Sequence, residues 1–537
     1  MIALRPLAAV ATCALALVAA ACGGAASNAA PGAAGTAGKG AEAFPASTLF
    51  FVDANADVNS SAWQKVRAVG ARFPGYPELE AQISKGLSQA DGGFSFAQDI
   101  QPWAGDEAAI GVLAVTLSGG QPKPQVVVYV ESKDDAAALA AAERKGAKKG
   151  SDYRGYTELT GGEAKMGIGS AMDNSSVAAI GKGAVIMATD TAALHASIDA
   201  REGGAADRLS GSPLYGEALA TLPDDNVLVG YADGAKLAQL AGTAFAAVAQ
   251  GGVAPTVPAP QVDQALSQLE AIRAIAFSAG ADDGGLRLRV SALLDEAKAE
   301  QLGQVPSAAL KLLDRAPADS LVFAGTPGWG DVLDKALARA TADPQVAQNI
   351  AGFEAMTGLT LKGDVLPLLS GEAGLYVAGG APAKGALLLQ PKDPAAAAAA
   401  LTRITAAIAK QGGADAPKFA PLPSGEGQIA TLDGHDASWL HDGDLIALGF
   451  DTGGVAPAGG LAGSDPFRSA SDAAKLPDKV GALLYADIPG IVALSQRAGG
   501  EQVPADVLAN IRALGGLLAW STQDNGVAKS DLYLQVK

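Results

Sequence analysis

Apolar residues along the chain fall into two alternating rhythms. Short runs rich in β-branched and aromatic residues, at 48–52, 108–115, 125–130, 177–189, 226–231 and 274–291, carry the signal of strands. Between them, apolar positions three and four residues apart predict helices over 62–72, 77–89, 134–145, 191–201 and 214–222. Asp282-Asp283-Gly284-Gly285 and Asp524-Asn525-Gly526 join apolar runs through residues tolerant of positive φ, so both predict hairpins. Hairpins with helices on one side predict an α+β fold with mainly antiparallel sheet rather than a doubly wound parallel one. The apolar stretch 237–253 carries Gln239, Thr243 and Gln250, which reads as a buried helix and not as a membrane span.

The same landmarks occur twice. Pro45-Ala46-Ser47-Thr48-Leu49-Phe50-Phe51 returns as Pro317-Ala318-Asp319-Ser320-Leu321-Val322-Phe323. Asp99-Ile100-Gln101-Pro102-Trp103 followed by Glu107 matches Asp364-Val365-Leu366-Pro367-Leu368 followed by Glu372, and Lys133-Asp134 matches Lys392-Asp393 before an Ala-rich helix. Leu222-Pro223-Asp224 leading to Tyr231-Ala232-Asp233 answers Leu476-Pro477-Asp478 leading to Tyr485-Ala486-Asp487. A period of this length means duplicated domains instead of a solenoid. The expectation is two tandem homologous lobes, 45–295 and 317–537, joined by a connector at 296–316.

The beginning of the chain reads differently. Arg5 precedes an apolar stretch ending in Ala19-Ala20-Ala21-Cys22, the order of a secretory signal over 1–21. Cys22, with Gly23 and Gly24 behind it, resembles a bacterial lipobox, although Ala19 stands where such boxes usually carry Leu. That resemblance implies diacylation of Cys22, palmitate being one expected chain, and anchorage to the outer face of the bacterial cell membrane. The small-residue tract that follows lacks apolar periodicity, so 22–44 reads as a flexible tether, spanning roughly 25 Å if unstructured. Cys13 and Cys22 are the only cysteines, and Cys13 lies within the signal, so no disulfide is expected in the mature chain.

Composition narrows the chemistry. Asp and Glu number 56 against 39 Lys and Arg, a net charge of -17, which repels nucleic acid and anionic headgroups. Three His and two Cys leave few residues for metal, thiol or triad chemistry. No phosphate loop, dinucleotide fingerprint or H-E-x-x-H is present. No cofactor and no metal is therefore expected.

The Pro-Ala-x-Thr-Leu strand, the Phe73-Pro74 after the first helix, and Asp99-Ile100-x-Pro102-Trp103-x-Gly105-Asp106 together resemble an uncharacterised bacterial family, domain of unknown function 3352. The resemblance is most specific around 94–113. It implies an exported bacterial protein and supplies no catalytic residues. Leu368 stands where the first copy has Trp103, so an aromatic role there is not shared by both copies.

Individual candidates each meet a plainer alternative. Asp53, Asn55, Asp57 and Asn59 have the alternate spacing of a calcium loop, but Val58 replaces its Gly and Gln64 its Glu; a strand exit and helix cap at Asn59, Ser60 or Ser61 explains them as well. His435, Asp436, His441 and Asp442 suggest zinc, yet the two His fall at opposite ends of one expected strand, about 20 Å apart. Gly167-Ile168-Gly169-Ser170-Ala171 is not a nucleophile elbow, and His195 sits in a helical stretch. Glu107 with Glu372, Asp233 with Asp487, and Tyr231 with Tyr485 are matched between copies, as residues of a site or as turn, cap and core positions. The function expected is that of a lipid-anchored extracytoplasmic binding or interaction protein whose partner is an unknown protein or amphiphile. A lipid carrier with an interlobe cleft and a carboxylate-dependent cell-envelope hydrolase are the alternatives.

Overall fold

The computed structural model describes residues 38–88, 96–118, 121–160, 176–250, 266–267, 269–302, 305–380, 383–411, 417–422, 426–432, 434–455, 457–497 and 504–537. The chain is α+β, and its contacts separate it into two compact units, one ending at Asp295 and the other running Glu296–Lys537. Within the described residues no helix is long and apolar enough to cross a membrane.

In the N-terminal unit the strands are β1 Phe50–Asn55, β2 Ala104–Ser118, β3 Gln121–Ser132, β4 Lys148–Tyr153, β5 Tyr156–Thr160, β6 Val177–Gly181, β7 Ala184–Ala188, β8 Leu228–Asp233, β9 Ile272–Asp282 and β10 Gly285–Leu294. They pair antiparallel in the order β4-β5-β6-β7-β3-β2-β1-β8-β9-β10. Helices α1 Ser61–Gly70, α2 Tyr76–Ser88, α3 Asp135–Arg144, α4 Thr191–Glu202, α5 Pro213–Leu219 and α6 Gly234–Gln250 connect them. Five starts are fixed by side-chain caps: Ser60 accepts from Trp63 N, Asp134 from Ala137 N, Asp190 from Ala193 N, Ser212 from Tyr215 N and Asp233 from Lys236 N. The β6–β7 turn places Lys182 and Gly183 at φ 51° and 77°, the mirror-image turn that suits strand twist.

The C-terminal unit has helices α7 Glu296–Leu302, α8 Leu312–Arg315, α9 Gly330–Ala340, α10 Pro344–Thr357, α11 Pro394–Gln411, α12 Asp465–Ala474, α13 Ile488–Arg497 and α14 Ala505–Ile511. Its strands are β11 Ser320–Thr326, β12 Glu372–Ala378, β13 Lys384–Gln390, β14 Ala420–Pro421, β15 Glu426–Leu432, β16 His435–Asp442, β17 Leu445–Phe450, β18 Ala482–Asp487, β19 Leu514–Asp524 and β20 Val527–Val536. They pair antiparallel as β14-β15-β16-β17-β13-β12-β11-β18-β19-β20.

Apolar side chains are buried on both faces of the strands: in the C-terminal unit Leu388 and Leu445 join one buried cluster and their neighbours Leu389 and Ile446 another, and in the N-terminal unit every residue of β7 is buried. In the N-terminal unit Phe44, Phe51, Tyr215 and Tyr231 form a chain of edge-to-face contacts at 5.0, 5.9 and 5.2 Å. In the C-terminal unit Phe323, Tyr485 and Phe467 are buried, the last two in an edge contact at 5.1 Å.

Four expectations need correcting. The tether of 22–44 does not extend to its end: Lys39–Ala43 form a 3-10 turn whose Gly40, Ala41 and Ala43 are buried, followed by the fully buried Phe44. Small residues allow this segment to lie close on the sheet, and Gly111 leaves the gap that the Phe44 ring fills. The connector 296–316 is not a linker either, because Leu312 and Ala316 belong to the core that contains Phe323. Helix α6, expected to be buried over 237–253, is half exposed through Thr243, with Ala238 its buried apolar residue in that span. Finally β4 and β5 carried no strand signal, since β4 reads KKGSDY and is almost wholly exposed, so no apolar alternation marks it.

Candidate functional site: an acid-lined cleft

The clearest concentration of chemistry is in the N-terminal unit, where β1 leaves the core. Strand alternation puts Asp53 on the same inward face as Phe51. Asp53 pairs across with Ala109 and Asn55 with Glu107, so Asp53 and Glu107 are diagonal neighbours on that face. Their carboxyls lie side by side, a Cβ on Gly38 standing within contact of Glu107 Oε1 and Asp53 Oδ2 together. Asp53 is 8% exposed, and its Oδ1 accepts no hydrogen bond. Burial first, and the adjoining Glu107 second, push its carboxyl up to about 8, against the backbone N–H of Ala54. Asp53 therefore keeps its proton at neutral pH.

The segment before Phe44 covers this pair. Gly40 N–H donates to Glu107 Oε1 at 2.5 Å. A Cβ on Gly40 would stand 2.8 Å from that oxygen, and one on Gly38 would collide with both carboxyls, so this approach requires glycine. Lys39 Nζ reaches Glu131 Oε1 at 2.8 Å, while Glu131 Oε2 accepts from Asp106 N at 3.1 Å. The Lys39 hydrogen bond leads the interactions that hold Glu131 below the usual carboxylate range.

Above the pair opens a cleft of about 720 Å³, bordered by Asp57, Asp106, Glu131, Asp224, Asp225 and Asn226 among others. Asp225 is engaged by Lys65 and by Ser61 Oγ. Asp57 Oδ1 accepts from Asn59 N at 2.8 Å. Among the described residues, Asp106 and Asp224 have no cation within ion-pair distance. The electrostatic character is one of uncompensated negative charge in a concave wall.

The residues singled out in the sequence are placed as follows. Asn55 and Asp57 spend their oxygens on backbone turns, Asn55 Oδ1 accepting from Asp57 N at 2.9 Å, and Ser60 caps α1. Among the described residues no three His, Cys, Asp or Glu converge as a metal site. His435 and His441 lie at opposite ends of β16, on Asp451 Oδ2 and Glu426 Oε2, both at 2.8 Å. Asp436 accepts from Thr431 Oγ1, and Asp442 lies 3.7 Å from Arg315. His195 stacks on Tyr153 at 3.8 Å and meets Glu158 at 2.6 Å. Cys22 and the Gly167–Ser170 run lie outside the described residues.

The matched residues have structural work in both units. Glu372 accepts from Lys311 N at 3.0 Å and Leu312 N at 2.7 Å, just as Glu107 receives Gly40 N. Burial raises the Glu372 carboxyl, and those two N–H groups oppose the rise. Asp233 caps α6 through Lys236 N at 3.1 Å. Asp487 ends β18 beside a smaller depression of about 390 Å³. Tyr231 and Tyr485 are core. Trp103 packs on Ala138, Ala141, Ile180 and Val185 and donates Nε1–H to Asp99 O; Leu368 fills the corresponding place against Ala397, Leu401 and Ile446. Asp99 meets Lys145 at 3.1 Å and Asp364 meets Arg403 at 2.6 Å, so this motif is a packing device.

Sequence reasoning considered Asp53 and Glu107 separately and missed their pairing. It also missed Gly38, Gly40, Asp106, Glu131 and Asp224. One signal was available: Asp53 stands two residues from Phe51 and so points inward. The C-terminal unit has Gly325 at the equivalent strand position, so the acid pair is confined to one unit.

No curated protein matches this chain. Two solved structures, crystal forms III and I of TP0453, align at 7% identity with TM-scores of 0.24 and 0.23. Each alignment covers 48% of this chain, with 80% and 79% of the respective structure, and at those scores it carries no argument. A family model described as "Protein of unknown function (DUF3352)" matches residues 7–421. With its doubled Pro-Ala landmark and its Asp99-to-Asp106 motif inside that match, the chain belongs to this family of unknown function.

Proposed function

We propose that this protein is a lipid-anchored binding protein working outside the cytoplasmic membrane, and that its ligand enters the acid-lined cleft of the N-terminal unit. The observation that carries the binding reading is the cleft itself, a concavity of about 720 Å³ over a buried, proton-holding carboxyl. Anchorage rests on the signal-like order ending at Cys22. Native mass spectrometry of the intact chain, purified from its own membranes, tests binding: a retained small molecule or peptide is expected, and a clean apo mass overturns it. Membrane fractionation of Cys22→Ser tests anchorage, with release into the soluble fraction expected.

A second reading, a carboxylate-dependent hydrolase, draws on the same pair. Glu107 Oε1 already receives Gly40 N–H, Asp53 Oδ1 is sealed from solvent, and the two carboxyls lie side by side beneath Gly38. Carboxyls that close leave no room for the scissile bond that glycosidases place between acids about 5 to 9 Å apart. Binding without turnover therefore fits better. Turnover abolished by Asp53→Asn would reverse that preference.

The two units read as an internal duplication. Support comes from the shared strand order and from register: Phe51 lies between Gly111 and Tyr231, and Phe323 between Tyr376 and Tyr485. The paired glutamates receiving N–H groups from the segment ahead of each first strand add to it.

A further inference from the structure

We propose that residues 38–42 are a proton-controlled flap over the cleft, held down on the Asp53–Glu107 pair and lifted when both carboxyls are charged. The flap governs access to the cleft whatever enters it. Its two ends are fastened differently. At Ala43 and Phe44 the bonds are neutral: Ala43 O accepts from Ser197 Oγ at 2.6 Å, Phe44 O accepts from Leu209 N at 2.7 Å, and the Phe44 ring is fully buried. Ahead of that hinge the chain is held by acids. Gly40 N–H donates to Glu107 Oε1 at 2.5 Å, and Lys39 Nζ meets Glu131 Oε1 at 2.8 Å. Glu42 and Arg208 stand 3.7 Å apart, beyond hydrogen-bond range. The flap itself buries only Gly40 and Ala41, so little apolar area opposes its lifting. Gly38 and Lys39 border the cleft, and lifting them opens the carboxyl pair beneath to it.

Two adjacent carboxyls in a dry site resist carrying two charges unless a cation or several donors offset them. Here neither is supplied. Directly opposite Asp53 stand Ala109 of β2 and Val229 of β8, and its Oδ1 accepts no hydrogen bond. The titratable groups around the pair are Asp106 on β2, Tyr129 and Glu131 on β3, Arg201 on α4, Tyr215 on α5 and Lys39 on the flap. Both cations among them are engaged elsewhere: Lys39 on Glu131, and Arg201 on Tyr156 Oη at 2.7 Å and Lys182 O at 2.9 Å. With the flap down, burial and the neighbouring Glu107 let Asp53 keep its proton up to about 8. With the flap up, water reaches both carboxyls and the proton leaves at lower pH. The closed form therefore binds more protons, so lifting becomes easier by up to about tenfold per pH unit as pH rises towards 8, and no easier beyond it.

The flap carries its own reporter, because Lys39 is the first Lys or Arg after Arg5. A lysine-specific protease cuts between Lys39 and Gly40 only when Gly40 N–H has left Glu107. The experiment measures that cleavage in the full-length protein from pH 6 to 9 and divides its rate by that of a free peptide of residues 34–45, which removes the protease's own pH dependence. The ratio should rise at least about tenfold between pH 6 and 8 and level off above. Asp53→Asn should keep the flap down, with a ratio that stays flat. Glu131→Gln should raise the ratio equally at every pH by freeing Lys39, leaving the rise itself intact. A flat ratio in the wild type, a rise that persists in Asp53→Asn, or a rise abolished by Glu131→Gln each overturns the proposal. So does a parallel rise in cleavage after Lys133, which would place the proton's effect on the whole unit instead of the flap.

Discussion

Asp53 is a carboxyl placed where the strand pattern calls for a core residue. In the unfolded chain such a group loses its proton near about 3.9, whereas in the fold it holds the proton up to about 8. Between those values the folded state binds more protons than the unfolded one, so its contribution to stability is complete below about 3.9 and declines as pH rises towards 8. The groups facing it are Glu107 from β2 and Tyr215 from α5, and neither brings a positive charge to relieve it. Asp53→Asn should therefore gain thermal stability over the wild type as pH is raised from 5 to 9; a difference that stays flat with pH excludes this account. Gly40 supplies the second residue-scale prediction. Its added Cβ would press on Glu107 and, at 3.0 Å, on Ala109, so Gly40→Ala should cost about 1 to 3 kcal/mol in denaturant unfolding. Both positions were visible in the sequence only as an acid after a strand and a glycine in a small-residue tract. Their meeting depends on register, which pairs residues more than fifty positions apart.

Strands and helices were legible where apolar periodicity was strong. The core strands β1, β2, β3 and β8 and the helices α1, α3 and α4 appear within a few residues of their expected positions. Elements without that signal were not: β4 is a polar edge strand, β5 beside it is short and mostly polar, and the Lys39–Ala43 turn is built from residues that carry no pattern. Helix α6 shows the opposite failure, an apolar run whose surroundings leave it half exposed. The Asp99-to-Trp103 motif was legible as a landmark, and its role became clear only from packing. Trp103 and Leu368 do the same task in the two units, so Trp103→Leu tests that equivalence. It should fold, losing about 2 kcal/mol through incomplete filling of the space around Ala138 and Ile180. Loss of the folded state would mean that the indole N–H to Asp99 carries more than the packing implies.

At the scale of the molecule, the repeated order of sequence landmarks was the most legible property, because landmarks retain their order over long separations while register details do not. Both cysteines precede residue 38, so no disulfide between them spans either unit. The thermal midpoint should be the same with and without reductant, and a shift of several degrees would show a covalent link beyond this chain. The glutamate clasps described above have a kinetic consequence. Glu107 and Glu372 fasten backbone made 67 and 60 residues earlier, and closing a loop of that size costs roughly 4 kcal/mol in chain entropy. On a ribosome, the opening stretch of each unit cannot be clasped until the hairpin strand bearing its carboxylate has emerged. Each unit is thus synthesised from its latch forwards and latched backwards, and a chain stalled short of either glutamate leaves Phe44 or Leu312 for a chaperone or a protease to find.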